Sequence, residues 1–242
     1  MASIQDANRA FFDKMVAEYD LKPWQKKLEL NITNFLVEKR QWLGLDLGED
    51  SQGPIRLLDY ACGTGTITRA LAPYVGQIRG IDISPKSVEK YNSLISTNLP
   101  AETKAVEGDL IAPNAVPAAT PEFTGFDIVA VGFAFHHFSD YKLGIQRLQE
   151  RLKPGGILLI IDFLGEVDES TMEAFAKRHN QSTTELRATM HKTGFEKGEI
   201  SALMKDVGMV DTSEFELEGN LEIEFQDITM NRKAMFVKGT RQ

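Results

Sequence analysis

Carboxylates follow three successive apolar runs of this sequence, and the first of them stands directly before a glycine-rich turn. Asp59 closes the run 55–60, Asp82 closes the next run, and Asp109 follows the third. If the runs are strands of one parallel sheet, their carboxyl ends meet at one edge. Carboxylate oxygens accept hydrogen bonds from diols and amines and attract cations, so this edge suits a cationic ligand that carries a sugar.

The turn after Asp59 predicts a ligand loop between a strand and a helix. Gly63 and Gly65 allow a tight backbone turn, and the exposed N–H groups of such a turn face the crevice beyond the strand. A dinucleotide loop needs a third glycine where Thr68 stands, and no phosphate-binding P-loop motif occurs. Asp59 would also repel a pyrophosphate, which argues against both common ligands of such turns.

The second and third carboxylates extend the predicted site. Asp82 lies 17 residues after Gly65, a position from which an acid can accept from both ribose hydroxyls. Ile83 could cover a flat base, and Asp109 could accept from an exocyclic amine. Each acid alone could equally be a solvated loop residue or a helix cap, and it is their order along the chain that favours a site.

The histidines are the candidate bases. His136 and His137 follow the fourth predicted strand, and His191 precedes a late helix; each is either a base or acceptor-positioning group, or a structural residue. No metal site is predicted, because the first two are adjacent and neither an H-x-x-x-H motif nor a cysteine pair is present. Cys62 is expected to pack as a small apolar residue beneath the turn.

The elements that must position these groups alternate along the chain. Helical patterns separate the strand-like runs, which predicts a doubly wound α/β fold with right-handed crossovers. Two tail strands, Val210–Leu217 and Ala234–Val237, complete a seven-stranded, mostly parallel sheet with an antiparallel C-terminal strand. The predicted strands are 55–60, 77–83, 103–107, 126–132 and 157–163, the helices between them are 64–74, 84–95 and 138–152, and later helices are 168–192 and 196–206.

Residues 1–242 are expected to form a single domain. Apolar residues at helical spacing predict two helices over residues 3–43, divided at Pro23. These two helices either only pack against the rest of the domain or form a helical cap, residues 1–43, over the ligand crevice. Residues 164–195 are predicted to form a lid insertion.

The charge and composition of the chain limit the classes of molecule that we expect it to bind. The chain of 242 residues has 35 acidic and 27 basic residues, a net charge of −8 that disfavours nucleic acid and favours a small-molecule partner. One cysteine, no apolar leader and no apolar run near eighteen residues lead us to expect a cytoplasmic protein without a membrane partner. The sequence predicts no oligomeric state.

Five motifs in this order resemble the class I S-adenosylmethionine-dependent methyltransferases. The likeness spans roughly residues 8–210 and is strongest to the small-molecule branch that includes the ubiquinone and menaquinone C-methyltransferases. Ala61 stands where that family usually has the first glycine of the loop. The motifs are D-x-A-C-G-T-G from Asp59, G-I-D-I-S at 80–84, E-G-D-L at 107–110, F-D-I-V at 126–129 and R-L-K-P-G-G at 151–156.

The resemblance implies S-adenosyl-L-methionine as cofactor and assigns it a set of residues. These are Asp59, Gly63 and Gly65 at the methionine moiety, with Tyr19 closing over it; Asp82 at the ribose; Ile83 on the adenine face; Asp109 and Leu110 at the adenine edge; Ala61 of the loop; and Phe133 through its backbone.

The implied activity is in-line methyl transfer to a small, apolar or aromatic acceptor. The alternative is a cofactor-binding regulatory or scaffold subunit that transfers no methyl group itself. Methylation of protein or RNA is disfavoured by the charge and by the absence of an N-P-P-Y-type tetrapeptide after the fourth strand.

Overall fold

The structure, a computed structural model, describes residues 4–16, 23–44, 55–94, 99, 102–178, 181–225 and 228–242. Its centre is a sheet whose main path runs β3-β2-β1-β4-β5-β8-β6, with β7 paired to β8 outside that path. The strands are β1 (Arg56–Tyr60), β2 (Gln77–Asp82), β3 (Lys104–Glu107), β4 (Phe126–Gly132), β5 (Leu152–Leu164), β6 (Val210–Glu216), β7 (Leu221–Phe225) and β8 (Ile228–Thr240).

Helices flank the sheet and precede it. Those that the structure describes are α1 (Ile4–Met15), α2 (Pro23–Glu38), α3 (Thr66–Leu71), α4 (Pro85–Leu94), α5 (Tyr141–Gln149), α6 (Glu169–Arg178), α7 (Thr183–Arg187) and α8 (Glu199–Asp206). Pro23 begins α2, as a residue without a hydrogen-bonding N–H can do in a first helical turn.

Alternate residues of the central strand supply two separate cores. Leu158 and Ile160 of β5 belong to one apolar cluster, and Leu159 and Ile161 belong to the other. Because successive side chains of a strand point to opposite faces, both faces of the sheet are covered. The first core includes residues of α5 and α8, and the second includes residues of α2 and α3.

The predicted fold class is confirmed. Strands β3, β2, β1, β4 and β5 run parallel to one another, and β8 is antiparallel to both β5 and β6. This path contains seven strands, and its order reverses between β1 and β4. A ligand crevice is expected beyond the carboxyl ends of the strands at that reversal.

Two predictions about the second half of the chain gave the wrong bounds for its helices and strands. The stretch 168–192 forms two helices, because Ser182 begins α7 with a capping box to Glu185. The segment between the tail strands contains β7, whose Leu221 and Ile223 are buried, and β8 begins well before Ala234. The sheet therefore carries an additional hairpin of β7 and β8.

Helix α1 contacts the loops at the carboxyl edge. Asp13 Oδ1 accepts a 2.5 Å hydrogen bond from Ser84 Oγ just after β2, and Asn8 Nδ2 donates over 3.4 Å to the carbonyl of His137 after β4. The helix therefore joins the two sides of the crevice. Helix α2 packs beside α3, and its Leu36 is fully buried.

Leu36→Ala should lower the free energy of unfolding by about 2–5 kcal/mol, because truncating a buried leucine removes apolar contacts and leaves a cavity. Leu30→Ala is the matched control on the same helix, since Leu30 is 57% exposed, and it should change stability by less than about 0.5 kcal/mol. Urea denaturation measures both variants. Equal losses would contradict the packing of α2 against the sheet.

Candidate functional site

A cavity of about 360 Å³ opens at the carboxyl edge of the sheet. Its walls come from α1, α2, the loops after β1, β2, β3 and β4, the end of β5, the segment 167–193, and β7 and β8. This volume lies in the range of small-molecule sites, about 300–1,000 Å³. The cavity contains most of the residues that the sequence singled out.

The turn after β1 holds backbone in the left-handed region. Ala61, Gly63 and Gly65 have φ angles of 54°, 52° and 94°, and Gly65 N donates over 2.8 Å to the carbonyl of Cys62. Ala61 and Phe133 are both non-glycine residues at positive φ, and both line the cavity. Such backbone costs about 1–3 kcal/mol per residue and concentrates at functional sites.

Asp59 is buried beneath that turn and lines the cavity. Its Oδ2 accepts from the Thr68 backbone N at 3.1 Å and from Thr68 Oγ1 at 2.8 Å, and that hydroxyl also contacts Tyr91 OH at 2.7 Å. The carboxylate therefore joins β1 to α3. Burial raises its pKa from an ordinary 3.8 to about 7.

Asp82 closes the turn from the neighbouring strand. Its Oδ2 accepts from Gly63 N at 2.8 Å, and its Oδ1 accepts from Ser84 N at 2.9 Å. Each oxygen thus has one backbone donor and keeps one lone pair for a ligand hydroxyl. Burial raises the pKa of this carboxyl.

Asp109 occupies the third strand end with one oxygen engaged. Its Oδ1 accepts from Ile111 N at 2.8 Å, from Ala112 N at 3.2 Å and from Tyr60 OH at 3.3 Å. Among the described residues, no donor is hydrogen-bonded to its Oδ2. The neighbouring Leu110 is fully buried in the core, and Ile111 rather than Leu110 lines the cavity.

The other residues proposed for a cofactor divide into two groups. Ile83 and Phe133 line the cavity. Gly65 does not belong to the lining, and a β-carbon there would lie 3.0 Å from the Tyr91 ring, so this glycine lets α4 approach the turn. Tyr19 lies outside the described residues. Cys62 is buried under the turn and close to Gly80.

His136 forms a buried pair with Asp162 at the end of β5. The His136 Nδ1 to Asp162 Oδ1 distance is 2.8 Å, and the His136 backbone N donates over 3.0 Å to Oδ2. Phe163 N also donates to Oδ1, at 2.7 Å. Because Asp162 accepts all three bonds, Nδ1 of His136 carries a ring proton, and in the neutral imidazole Nε2 is a hydrogen-bond acceptor.

His137 is held differently. Its Nδ1 lies 2.7 Å from the carbonyl of Thr189, so this nitrogen carries the ring proton, and the ring packs edge-on against Phe12 at 5.1 Å between centroids. Burial lowers the pKa of His137 to about 3, and the neighbouring His136 adds to this effect. His137 is therefore neutral at physiological pH.

The third candidate base, His191, lies outside the cavity lining. His191 is exposed and is not part of the cavity lining, although its neighbour Thr193 is. Asp162 was not singled out by the sequence. The signal was present, because Asp162 ends an apolar run just as Asp59 and Asp82 do.

The described part of the chain has no group of three or more His, Cys, Asp or Glu that could hold a metal ion. None of the helices in that part has the length and hydropathy needed to cross a bilayer.

Comparison with known proteins assigns the family. A family model described as a methyltransferase domain matches residues 34–200, more than half of the chain. The chain belongs to this methyltransferase family. The match begins in α2 and ends in α8, so it covers the turn after β1, the three strand-end carboxylates and the His136–Asp162 pair.

Curated relatives of the chain are similar to it over part of their length. An uncharacterised methyltransferase of Schizosaccharomyces pombe is 36% identical over 45% of this chain and 38% of its own. A demethylmenaquinone methyltransferase of Staphylococcus aureus is 30% identical over 52% of this chain and 48% of its own. The chain thus spans less than half the length of these two relatives.

A solved structure supports the fold over the whole chain. The crystal structure of a SAM-dependent methyltransferase from Anabaena variabilis has a TM-score of 0.65, with 17% identity, and covers 100% of this chain and 96% of the other. At that identity the likeness shows a shared fold.

The raised pKa of Asp59 predicts how stability depends on pH. The folded chain binds this proton more tightly than the unfolded chain, so the stabilisation is fully present below the ordinary pKa of 3.8 and is lost as pH rises through about 7. Asp59→Asn keeps a side-chain oxygen for Thr68 but cannot ionise. Relative to this variant, the wild type should lose stability on the order of 4 kcal/mol between about pH 4 and pH 8.

Urea denaturation at several pH values measures this difference. The same substitution at the exposed Asp206 is the control for exchanging an acid for an amide. Parallel pH profiles for the wild type and Asp59→Asn would show that Asp59 ionises normally in the folded chain.

Proposed function

We propose that this chain transfers the methyl group of S-adenosyl-L-methionine to a small, apolar or aromatic acceptor. The observation that carries the proposal is that His136, held from behind by the buried Asp162, lines the same cavity as the turn after β1, Asp82 and Asp109. One side of the cavity thus suits the cofactor, and a candidate base borders it.

The residues present fit the cofactor. A ribose diol would find the second lone pairs of Asp82, and an exocyclic amine would find Asp109 Oδ2. Ile83 offers an apolar surface for a flat base, and Asp59 brings a carboxyl group to the methionine end beneath Ala61 and the glycine turn. A positively charged sulfonium favours ionisation of that carboxyl group.

When bound, S-adenosyl-L-methionine supplies an electrophilic methyl group on a sulfonium, which suits an in-line displacement. The chain's contribution is first to hold the acceptor in line. Such positioning accounts for about 7–11 kcal/mol of a barrier in well-oriented reactions. We assign this role to the walls provided by α1, α2 and the 164–195 segment, which we propose to act as cap and lid.

His136 is proposed as the general base for an acceptor that must lose a proton. Nε2 takes the proton of the attacking group, while Nδ1–H remains bonded to Asp162, whose negative charge stabilises the imidazolium that results. His137 is neutral, and its Nδ1–H donates a hydrogen bond to the carbonyl of Thr189. We therefore assign it a positioning role, towards the acceptor and Phe12, rather than that of a base. His191 is not used in this proposal.

The acceptor side of the cavity is apolar, which supports the proposed acceptor class. Its lining is rich in aromatic rings and methionine side chains, which contact flat or aliphatic molecules without requiring hydrogen bonds. These residues are Phe11, Phe12, Met15, Trp24, Phe133, Phe163, Met172, Phe175, Met190 and Met230. A scaffold without activity would not need a histidine–carboxylate pair in this wall.

Calorimetric titration should detect binding of S-adenosyl-L-methionine to the wild type. Asp82→Ala should weaken that binding by about 5- to 150-fold, which corresponds to the roughly 1–3 kcal/mol lost when a charged hydrogen-bonding group is left without its partner. Asp206→Ala, at an exposed site, is the matched control. Absence of binding to the wild type at millimolar cofactor would overturn the proposed function.

His136→Gln should reduce kcat by about 10²–10⁴-fold, the usual contribution of a general base, with cofactor affinity unchanged. Asp162→Asn should also lower kcat and change its pH profile, because the orientation of the base depends on it. Detection of S-adenosylhomocysteine with a panel of phenols and aromatic acids gives the rates. A larger loss in His191→Gln than in His136→Gln would contradict this assignment of the base.

A further inference from the structure

Arg232 of β8 is a buried cation in the wall of the cavity. It is 7% exposed, and it is the one Lys or Arg side chain in the cavity lining among the described residues. The register places it just beyond the pairing of Lys233 with Leu164, beside Gly165. No feature of the sequence pattern singled it out.

The guanidinium is held by neutral groups. Its Nη2 donates to the carbonyl of Gly165 at 2.7 Å and to that of Thr193 at 2.8 Å, and its carbon lies 4.4 Å from the centroid of the Phe163 ring. In the described part of the chain, no carboxylate forms an ion pair with Arg232, and the Nε and Nη1 donors have no partner there. A buried guanidinium needs hydrogen-bond acceptors, and a ligand in the cavity can supply them to these two donors.

The backbone is shaped to hold this side chain. A β-carbon at Gly194 would lie 2.8 Å from Arg232 Nη2 and 2.1 Å from the carbonyl oxygen of Gly165. Only a residue without a β-carbon lets the backbone segments at Gly165 and Gly194 approach each other around the guanidinium. The position of Arg232 is therefore fixed from two sides.

Charge is distributed across the cavity in the order of the strands. The carboxylates of Asp59, Asp82 and Asp109 follow β1, β2 and β3, the His136–Asp162 pair lies at the ends of β4 and β5, and Arg232 lies on β8. Asp59, Asp82 and Asp109 thus lie towards one end of the site and Arg232 towards the other, where Asp162 and Glu166 act on it electrostatically without an ion pair among the described residues. A cationic cofactor and an anionic acceptor fit these ends.

We propose that Arg232 binds a carboxylate of the methyl acceptor, which is therefore an amphipathic organic acid with an aromatic or aliphatic body. This inference rests on the proposed function and specifies its substrate class. A carboxylate matches one guanidinium in charge, and charge-assisted hydrogen bonds from Nε and Nη1 would satisfy it. A phosphate dianion would leave a negative charge unbalanced among the aromatic and methionine side chains.

The cation persists at physiological pH. Burial lowers the pKa of Arg232 to about 10, while the neighbouring charges of Asp162 and Glu166 act in the opposite direction. His137 remains neutral, so it adds no second positive charge at this end.

Matched pairs of ligands test the proposal. The probes are benzoate, biphenyl-4-carboxylate and decanoate, each compared with its primary amide, and binding is titrated in the presence of saturating S-adenosylhomocysteine. At least one carboxylate should bind the wild type ten times or more tightly than its amide. If no carboxylate of the panel exceeds its amide, the proposal is wrong.

Variants then assign the preference to Arg232. Arg232→Met should weaken binding of the preferred carboxylate at least tenfold and change binding of the amide less than threefold, and Arg232→Lys should retain part of the preference. Lys233→Met removes a cation from the exposed side of the same strand and should have no effect. An undiminished preference in Arg232→Met would overturn the assignment.

Binding of S-adenosylhomocysteine distinguishes failure of the Arg232 proposal from failure of the proposed function. Retained binding of S-adenosylhomocysteine by each variant shows that the fold and the cofactor side are intact. Loss of the carboxylate preference with that binding retained supports the proposal. If the wild type itself does not bind S-adenosylhomocysteine, it is the methyltransferase function that fails.

Discussion

The site depends on one fully buried carboxylate, that of Asp162. It accepts hydrogen bonds from the ring and the backbone N of His136 and from Phe163 N, so it joins the loop after β4 to the end of β5. A buried charge is tolerated only when donors surround it, and these three supply that environment. The carboxylate thereby fixes the histidine ring in the wall of the cavity.

The strand-end carboxylates lie at the edge of the sheet where the sequence predicted them, for a physical reason. A parallel sheet brings the carboxyl ends of its strands together, so an acid that ends an apolar run can be placed from local pattern alone. Asp59, Asp82 and Asp109 all lie where this rule expects them. Their detailed partners were not predictable, because the bond from Gly63 N to Asp82 requires the turn to fold back over the adjacent strand.

The part of the cavity that we propose for the acceptor was largely missed, because it depends on pairing between distant segments. Arg232 reaches Gly165 and Thr193 only through the antiparallel register of β8 with β5, which no local pattern specifies. The alternation of Leu221 and Ile223 with glutamates was a valid strand signal for β7, but the stretch was too short to stand out. His191 stands in a segment that borders the cavity, yet its side chain is exposed, a distinction that spacing does not encode.

The position of β8 in the chain decides whether the family match includes Arg232. The family match ends at residue 200, so the strand that carries Arg232 lies outside it, as does α1 at the other end. The match contains the strand-end carboxylates, His136 and Asp162, whereas Arg232 and the α1 side chains that we propose to contact the acceptor lie in its two flanks. If Arg232 selects the acceptor as we propose, a member of this family that shares the matched region can differ in its acceptor through a strand that the match does not include.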